Sequence, residues 1–467
     1  MPGAASSKPV NRNVVLAVLL SGGFIAILNQ TLLATALPAF MRDLGITANT
    51  AQWLTTIFML VNGVMIPVTA FLIQKFTTRS LFLAAMGLFT LGTVICMLAP
   101  TFPVLLAGRI VQASGAGIIM PLMQTILFAI FPVHKRGTVM GTFGLVIAFA
   151  PAIGPSLSGW IVDNYPWPTL FQMILPFAVA DIIVAYFILR NVTERTFPKL
   201  DIASIIMSCL GFGGLLYGFS VAGGLGWSSP TVLAPLVGGA LVLVLFIHRQ
   251  LRLEQPILEF RVFRYAMFSL NTAIGMIVFI VMIGGTTVLP LYIQNMRGLP
   301  AVESGLVLLP GAVVMGLSSP VTGRVFDAFG AKWLALIGTT IVVVTTFMYA
   351  RLTLNTSFAY LAIVNAVRMF GTAMVMMPVT TAALNELPRS LIPHGTAMNN
   401  TMRQIAASIG TAVLVTVMTS AAIDTGGPEG LVHGVNVAFI VAGCVGVVGV
   451  VLSAFIRKLD QRPQELS

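Results

Sequence analysis

The sequence predicts an all-α polytopic membrane protein, and three observations lead to that fold class. The chain has 467 residues, of which 57% are hydrophobic and only 8% are charged, a balance that soluble domains do not show. Apolar runs near the ~20 residues that a bilayer-spanning helix needs recur from end to end. Basic residues gather on alternate connections between these runs, which is the charge pattern of a multi-pass topology.

Fourteen apolar runs follow one another along the chain. Their limits are 14–40, 50–73, 81–99, 103–131, 138–161, 168–189, 202–222, 230–247, 266–293, 303–323, 333–350, 357–384, 394–421 and 434–456. Of the Lys and Arg residues outside the runs, only Arg42, Arg297 and Arg351 fall on the side away from the N-terminus. The positive-inside rule and the even number of runs therefore predict cytoplasmic N- and C-termini in the cell membrane.

Two long basic linkers divide the runs into groups of six, two and six. These linkers are Arg190–Lys199 and His248–Tyr265. The predicted organisation is an N-terminal six-helix half (1–189), two extra helices with flanking cytoplasmic linkers (190–265), a C-terminal six-helix half (266–456) and a cytoplasmic tail (457–467).

The two groups of six resemble distant copies of each other. The stretch Phe71–Arg79 after the second run has a counterpart in Gly323–Lys332 after the tenth, and Arg109 in the fourth run has a looser one in Arg368 in the twelfth. Internal repeats in a membrane protein are typical of transporters, with the substrate site near the midplane between the repeats. A channel fits less well, because the runs contain no charged ring and no filter-like repeat.

Helix-breaking residues interrupt the fifth run, where Gly154 and Pro155 are followed by Gly159. A bilayer tolerates such residues where neighbouring helices satisfy the freed backbone groups, and small residues let helices approach closely. The segment therefore predicts a tightly packed helix that bends, as expected of a protein that changes shape to move something across the membrane.

Together with four other segments, this helix resembles the major facilitator superfamily, and more narrowly its fourteen-span drug/proton antiporter family of multidrug exporters. The residues that carry the resemblance are Gly154-Pro155 with Ser158-Gly159; Gly323, Asp327, Gly330 and Lys332; Arg109, Gln112, Gly115 and Gly117; Leu28-Asn29-Gln30-Thr31 with Ala36-Leu37-Pro38; and Met398 to Gln404. The resemblance covers essentially the whole chain. It implies the major facilitator fold in a 6+2+6 arrangement and proton-coupled export of amphipathic drugs by alternating access, with antibiotic resistance as the outcome.

The chain departs from the family pattern where the family carries acids. Asn29 and Gln74 stand where the first-helix and first-loop motifs usually have aspartates, and the thirteenth run has no acid between Gly395 and Ser420. Because antiport needs a group that loads and releases a proton, these replacements leave the coupling ion open.

Four ionisable residues lie well inside the runs. Asp181 is the only acid among them, and an intramembrane carboxylate marks a functional site by default; we predict proton coupling there, with a structural polar contact as the alternative. By resemblance, Arg109 belongs to proton coupling, and bracing is its alternative. Arg403 is expected to brace the fold rather than touch substrate, and either role suits Arg368.

Neutral polar side chains and the arginines of the C-terminal half are candidates to line the substrate cavity. The candidates are Asn29, Gln30, Asn62, Gln112, Gln124, Asn271, Asn365, Arg368, Asn399, Arg403 and Gln404. Interhelical hydrogen bonds are the alternative for each. Asp327 is expected to form a conformational latch with a helix end or an arginine across the halves, with a solvated loop charge as the alternative. His394 is expected to be polar surface in a loop.

The sequence favours a monomeric secondary exporter over an enzyme. It contains no nucleotide-binding motif, and its three cysteines, expected to be buried packing residues, indicate neither a disulfide framework nor a metal cluster. No cofactor, metal or nucleic acid is expected; the partners are a small amphipathic drug, protons and the bilayer. Two alternatives remain open: an exporter or flippase of a lipid-like metabolite, which the scarcity of membrane acids supports, and a non-transporting sensor or scaffold.

Overall fold

The computed structural model describes residues 12–192, 201–422 and 428–457, and these residues form fourteen long helices and no β-strand. The helices are α1 (Arg12–Leu44), α2 (Ala48–Lys75), α3 (Thr78–Met97), α4 (Phe102–Ile130), α5 (Arg136–Asn164), α6 (Thr169–Ile188), α7 (Ile202–Leu225), α8 (Pro230–Arg252), α9 (Ala266–Leu291), α10 (Ala301–Phe329), α11 (Ala331–Met348), α12 (Phe358–Asn385), α13 (Ile392–Ser420) and α14 (Pro428–Ala454). Each contains a stretch long and apolar enough to span a bilayer. The predicted all-α multi-pass fold is therefore confirmed. Residues 1–11, much of the first linker (193–200) and the tail from 458 onwards lie outside the described residues.

Several helices extend beyond their apolar runs. The helix α10 continues past Gly323 to Phe329, so most of the predicted loop motif is helical. Gly330 ends the helix with φ near 80°, a conformation that glycine adopts without the steric cost a side chain imposes. The motif therefore lies at a helix end, where Asp327 faces a neighbouring helix rather than open solvent.

The helices pack as two groups with a pair on one side. Within the first six, α4 packs against α2 and α3, and α1 packs against α5 and α6; within the last six, α12 packs against α9, α10 and α11. Two helix pairs make the main contacts between the groups, α5 with α10 and α2 with α13, and the pairs α5 with α12 and α4 with α13 make smaller ones. The helix α7 packs against α2, α13 and α8, so the extra helices flank the α2–α13 junction and not the α5–α10 junction.

The two ends of the bundle differ in charge. At the end where α1 begins and α2, α10 and α14 finish, the connections carry most of the Lys and Arg residues; it is called the basic end below. The helices α5 and α13 begin at this end, and the side chain of neither N-cap residue, Lys135 or Leu391, accepts a hydrogen bond from the first turn. The free N–H groups of these two first turns need partners from elsewhere in the fold.

Candidate functional site

An acid from α10 caps the beginning of α5. Asp327 Oδ1 accepts a hydrogen bond from the Gly137 N–H at 2.8 Å, and its Oδ2 accepts bonds from the Thr138 N–H at 2.8 Å and the Thr138 hydroxyl at 2.6 Å. A carboxylate is stabilised at a helix N-terminus both by free N–H groups and by the helix dipole. These bonds join the first six helices to the last six at the basic end, and the role of a conformational latch for Asp327 stays a prediction.

Glycines line the contact between α5 and α10, which is called the α5–α10 seam below. A Cβ on Gly323 would collide with the Gly137 carbonyl oxygen, and one on Gly141 would collide with the Ser319 carbonyl oxygen. One on Gly144 would lie 3.1 Å from Ser319 Cβ. The backbones of the two helices therefore touch along the basic half of the bundle. The spacing of Gly137, Gly141 and Gly144 is the small-residue signal for such packing, which the sequence reasoning missed.

A second seam joins the end of α2 to the beginning of α13, and it corrects the expectation for His394. The imidazole is 4% exposed and belongs to the first turn of α13 rather than to a loop. Its Nε2 lies 2.7 Å from Gln74 Nε2, and its Nδ1 accepts the Glu259 N–H at 3.3 Å. The prediction failed because the α8–α9 connection folds back over this turn and buries it.

The two seams are related by the internal repeat. Arg136-Gly137-Thr138 begins α5 as His394-Gly395-Thr396 begins α13, and Gln74 corresponds to Asp327 in the paired loop motifs. The Arg136 side chain donates to Asn385 Oδ1 at 2.8 Å. This repeat of Gly-Thr pairs was a second unused signal in the sequence.

Arg109 is fully buried among neutral partners. Its Nη1 donates to Asn29 Oδ1 at 2.8 Å and to Gln112 Oε1 at 2.5 Å, and its Nε donates to the Leu54 carbonyl at 3.3 Å. The guanidinium also lies 4.1 Å from the centre of the Phe58 ring. Asn29, which replaces the family's aspartate, is therefore the direct partner of Arg109, and the described contacts supply no acid.

Arg368 occupies the matching place in the last six helices but is held more loosely. Its Nη1 lies 3.5 Å from the Val281 carbonyl and its Nη2 lies 3.5 Å from Asn365 Oδ1. The guanidinium lies against Gly285, where a Cβ would overlap it. The amide of Asn365 also donates to the Leu308 carbonyl at 3.3 Å.

Asp181 lies in α6 at its contact with α1 and is 6% exposed. Its Oδ1 lies 2.5 Å from the Ser21 hydroxyl, which is also 2.9 Å from the Val18 carbonyl. Its Oδ2 has no hydrogen-bond partner among the described residues. The only acid predicted inside the runs is therefore buried without a basic partner in the described contacts.

One helix connects these clusters. Along α1, Ser21 contacts Asp181 and Asn29 contacts Arg109, so the two predicted proton-coupling residues do not touch. Eight residues of helix separate these contacts, or about 12 Å. Two residues after Asn29, Thr31 packs against α5, because a Cβ on Gly154 would collide with the Thr31 hydroxyl. The Gly-Pro segment of α5 therefore packs on the same helix.

Three of the predicted cavity residues make structural hydrogen bonds. Gln124 Oε1 accepts from the Asn400 amide at 2.8 Å and joins α4 to α13. Asn271 donates to the carbonyl one turn earlier in α9, and Asn399 donates to the Thr272 hydroxyl at 3.3 Å. In the described residues, the Oδ1 atoms of Asn271 and Asn399 have no partner.

Three other predicted cavity residues, Gln30, Asn62 and Gln404, are half-buried. Arg403 is buried, and its guanidinium lies 4.9 Å from the centre of the Phe279 ring. These side chains belong to α1, α2 and α13, and Phe279 belongs to α9.

Methionines form a small separate core between the two groups of helices. Met315 and Met369 pack with Ala148 and Ala373, and Met282 lies against them. The cluster draws on α5, α9, α10 and α12 and lies on the turn of α12 that follows Arg368. No local sequence pattern points to Met282, Met315 or Ala148, since their convergence depends on the fold.

The expectation that all three cysteines are buried is wrong for two of them. Cys96 is buried, but Cys209 is half-buried and Cys444 is exposed on α14, because an apolar run that faces lipid also accepts a thiol.

Gly159 has open space where a Cβ would be, so close packing does not explain that glycine. In the described part of the chain, no group of three or more His, Cys, Asp or Glu side chains is arranged to hold a metal.

Comparisons with known proteins agree with this architecture. The family model of the Major Facilitator Superfamily matches residues 19–411. A Bacillus subtilis protein described as an uncharacterized MFS-type transporter, YcnB, is 56% identical over 468 residues, covering 100% of this chain and 99% of its own. The lincomycin resistance protein LmrB of Bacillus subtilis is 43% identical over 98% of each chain. The human organic anion transporter MFSD10 shares the fold, with a TM-score of 0.69 at 14% identity over 96% of this chain and 100% of that one.

Proposed function

This chain belongs to the Major Facilitator Superfamily and is a membrane transporter rather than an enzyme, and from that premise we propose that it is a proton-coupled exporter of amphipathic drugs. The observation that carries the proposal is the burial of the Asp181 carboxyl group, which has no basic partner among the described residues. By the positive-inside rule, the basic end faces the cytoplasm, and the protein spans the cell membrane. The transporter acts as a monomer, with the first and last six helices rocking against each other.

The contact between Asp181 and Ser21 accommodates a proton with little rearrangement. A hydroxyl has one hydrogen and accepts others, and the Ser21 hydroxyl lies within reach of both Asp181 Oδ1 and the Val18 carbonyl. When Asp181 is ionised, Ser21 donates to it. When Asp181 is protonated, the acid donates to Ser21 and the Ser21 hydrogen turns to Val18.

Coupling to the rest of the protein passes through α1. A change at Ser21 acts on the same helix that holds Asn29 against Arg109 and Thr31 against Gly154. The Gly-Pro helix α5 also forms the α5–α10 seam, so a movement of α1 reaches the junction between the two groups of helices. Rigid elements with two arrangements are the physical means by which distant sites are coupled.

The methionine cluster is the proposed apolar part of the drug site. Flexible thioethers adapt to ligands of varied shape, and Met282, Met315 and Met369 lie between the two groups of helices. The nearby Arg368 supplies a polar edge. A relative named for lincomycin resistance supports the choice of a drug as substrate.

Transport in proteoliposomes with an imposed pH gradient tests the proposal. We expect an ethidium-like dye or lincomycin to move against its gradient when protons move the other way, and addition of the drug to drive proton flux. Movement of labelled lipid alone would support a lipid exporter instead. No movement of dye, lincomycin or lipid would support a non-transporting protein.

An Asp181→Asn variant tests the proton carrier itself. We expect drug-driven proton flux to fall at least tenfold, while binding of the dye to the purified protein stays near the wild-type value. The matched control is Asp163→Asn, which removes an exposed acid from the last turn of α5 and is expected to leave coupling unchanged. Unchanged coupling in Asp181→Asn would remove this residue from the proposal.

A further inference from the structure

We propose that His394 binds a proton that decides whether the seam between α2 and α13 closes, so that this seam closes only over a neutral imidazole. The inference rests on the proposed proton-coupled export and adds to it a proton site at the basic end. The site consists of the His394 ring, the Gln74 amide and the backbone N–H of Glu259.

The hydrogen bonds around His394 define its protonation in the closed seam. A backbone N–H is always a donor, and the Glu259 N–H points at Nδ1 from 3.3 Å. Nδ1 therefore carries a lone pair and no hydrogen. The remaining hydrogen of a neutral imidazole is on Nε2, which faces the Gln74 amide at 2.7 Å; a half-turn of that amide presents its oxygen as the acceptor.

A second proton on the ring is incompatible with this arrangement. An imidazolium carries a hydrogen on both nitrogens, so Nδ1–H would point directly at the Glu259 N–H. The ring is 4% exposed, and an unpaired charge in such a place is costly. When α2 and α13 separate, water can solvate the charged ring. A proton consequently binds the open seam more tightly than the closed one, and by linkage it favours opening.

The difference in proton binding between the open and the closed seam is set by the imidazole itself and not by charged groups on the surrounding elements. The charged residues near the basic end on the elements packed around the beginning of α13 are Lys75 on α2, Asp201 before α7, Glu254, Glu259, Arg261 and Arg264 in the α8–α9 connection, Glu386 and Arg389 before α13, and Arg457 after α14. Asp201 pairs with Arg249 at 2.9 Å, and Glu259 pairs with Arg261 at 3.2 Å. The hydrogen bonds found for the imidazole in the described residues are those with Gln74 and the Glu259 N–H alone.

Closure of the seam over a neutral imidazole alone prevents an unproductive step in the exchange cycle. A proton/drug exchanger that returned from its inward-open form with the proton still bound would carry that proton back out, so no net proton inflow would drive the export of drug. A seam that closes only over neutral His394 blocks that return until the cytoplasmic-side proton has left. The related position in the α5–α10 seam holds Arg136, whose charge is permanent, so only one of the two seams responds to protons in this way.

Distance measurements on the purified protein in lipid nanodiscs test the proposal without any transport assay. Spin labels are attached at Phe76→Cys and Ser390→Cys, two exposed positions on either side of the seam, after Cys96, Cys209 and Cys444 are replaced by alanine. Imidazole groups titrate near pH 6.5. We expect a short distance at about pH 8 and a growing population of a longer distance towards about pH 5.

Matched histidine variants separate the imidazole from a general effect of acid. His394→Gln keeps hydrogen bonding without the titration and is expected to hold one distance distribution over the whole pH range; His394→Asn serves if that variant does not fold. His134→Gln, at an exposed position before α5, is expected to respond to pH as the wild type does. A pH response retained in His394→Gln and His394→Asn, or no response in the wild type, would overturn the proposal. A wild-type response in a protein that moves no drug would leave the His394 site standing and remove only the export function.

Discussion

The two main seams between the first six helices and the last six have different physical characters. In the α5–α10 seam, backbones touch through glycines and Asp327 holds the beginning of α5 with three charge-assisted bonds. In the α2–α13 seam, neutral side chains meet, with Gln74 against His394. The difference indicates that the α5–α10 seam provides most of the free energy of closing, while protonation can open the α2–α13 seam.

The extra helices are attached to the weaker seam. The helix α7 packs against both α2 and α13, and the connection after α8 supplies the Glu259 N–H that meets His394. The side chain of Trp227 in the α7–α8 connection also donates to the Thr416 hydroxyl at 2.8 Å. We infer that the pair α7–α8 supports the α2–α13 seam, where the described residues show none of the backbone-to-backbone glycine contacts of the α5–α10 seam.

The largest expected effect comes from Asp327→Asn. The amide keeps one acceptor oxygen but loses the charge at the helix N-terminus, which costs on the order of 2 kcal/mol, or roughly 30-fold in the ratio of closed to open seam. Spin labels at Lys135→Cys and Phe329→Cys, both exposed, measure that ratio. The control is Asp43→Asn, which removes an equal charge from the other end of the bundle and is expected to leave the ratio of closed to open seam unchanged.

An effect of similar size, with a steric cause, is expected for Gly323→Ala. The new Cβ meets the Gly137 carbonyl, and forcing two backbones apart costs about 1–3 kcal/mol. The same label pair should show a longer distance and a lower closed fraction. Gly159→Ala is the control, because a Cβ there meets nothing within 4 Å. Equal effects of the two substitutions would show that close backbone contact is not what closes this seam.

The smallest effect belongs to Gln74→Ala in the α2–α13 seam. Loss of one neutral hydrogen bond costs about 1 kcal/mol, or roughly 5-fold in the closed fraction. Labels at Phe76→Cys and Ser390→Cys report it at about pH 8, where His394 is neutral. If Gln74→Ala opened its seam as widely as Asp327→Asn opens the other, the proposed division of closing energy between the seams would be wrong.

The sequence predicted the fourteen helices because each depends on a local property, an apolar run long enough for a bilayer. The loop motif also predicted that Asp327 would meet a helix end. The partner of Arg109 was left open by the sequence, and it is Asn29 in the structure. The sequence did not anticipate the contact of Asp181 with Ser21 or the burial of His394. Those contacts join residues far apart along the chain, and their formation depends on how α6 and the α8–α9 connection pack.

The central claim is that the α5–α10 seam is a gate at the basic end that Asp327 holds closed. The most direct test is the rate at which a membrane-impermeant maleimide, supplied from the basic end, modifies the thiol of Ser319→Cys in a chain without its three natural cysteines. Ser319 is 1% exposed and lies in the seam two turns from Asp327. We predict slow modification that accelerates roughly 30-fold in the Asp327→Asn background, as the lost closing energy requires. Equal rates in the two backgrounds would contradict the account.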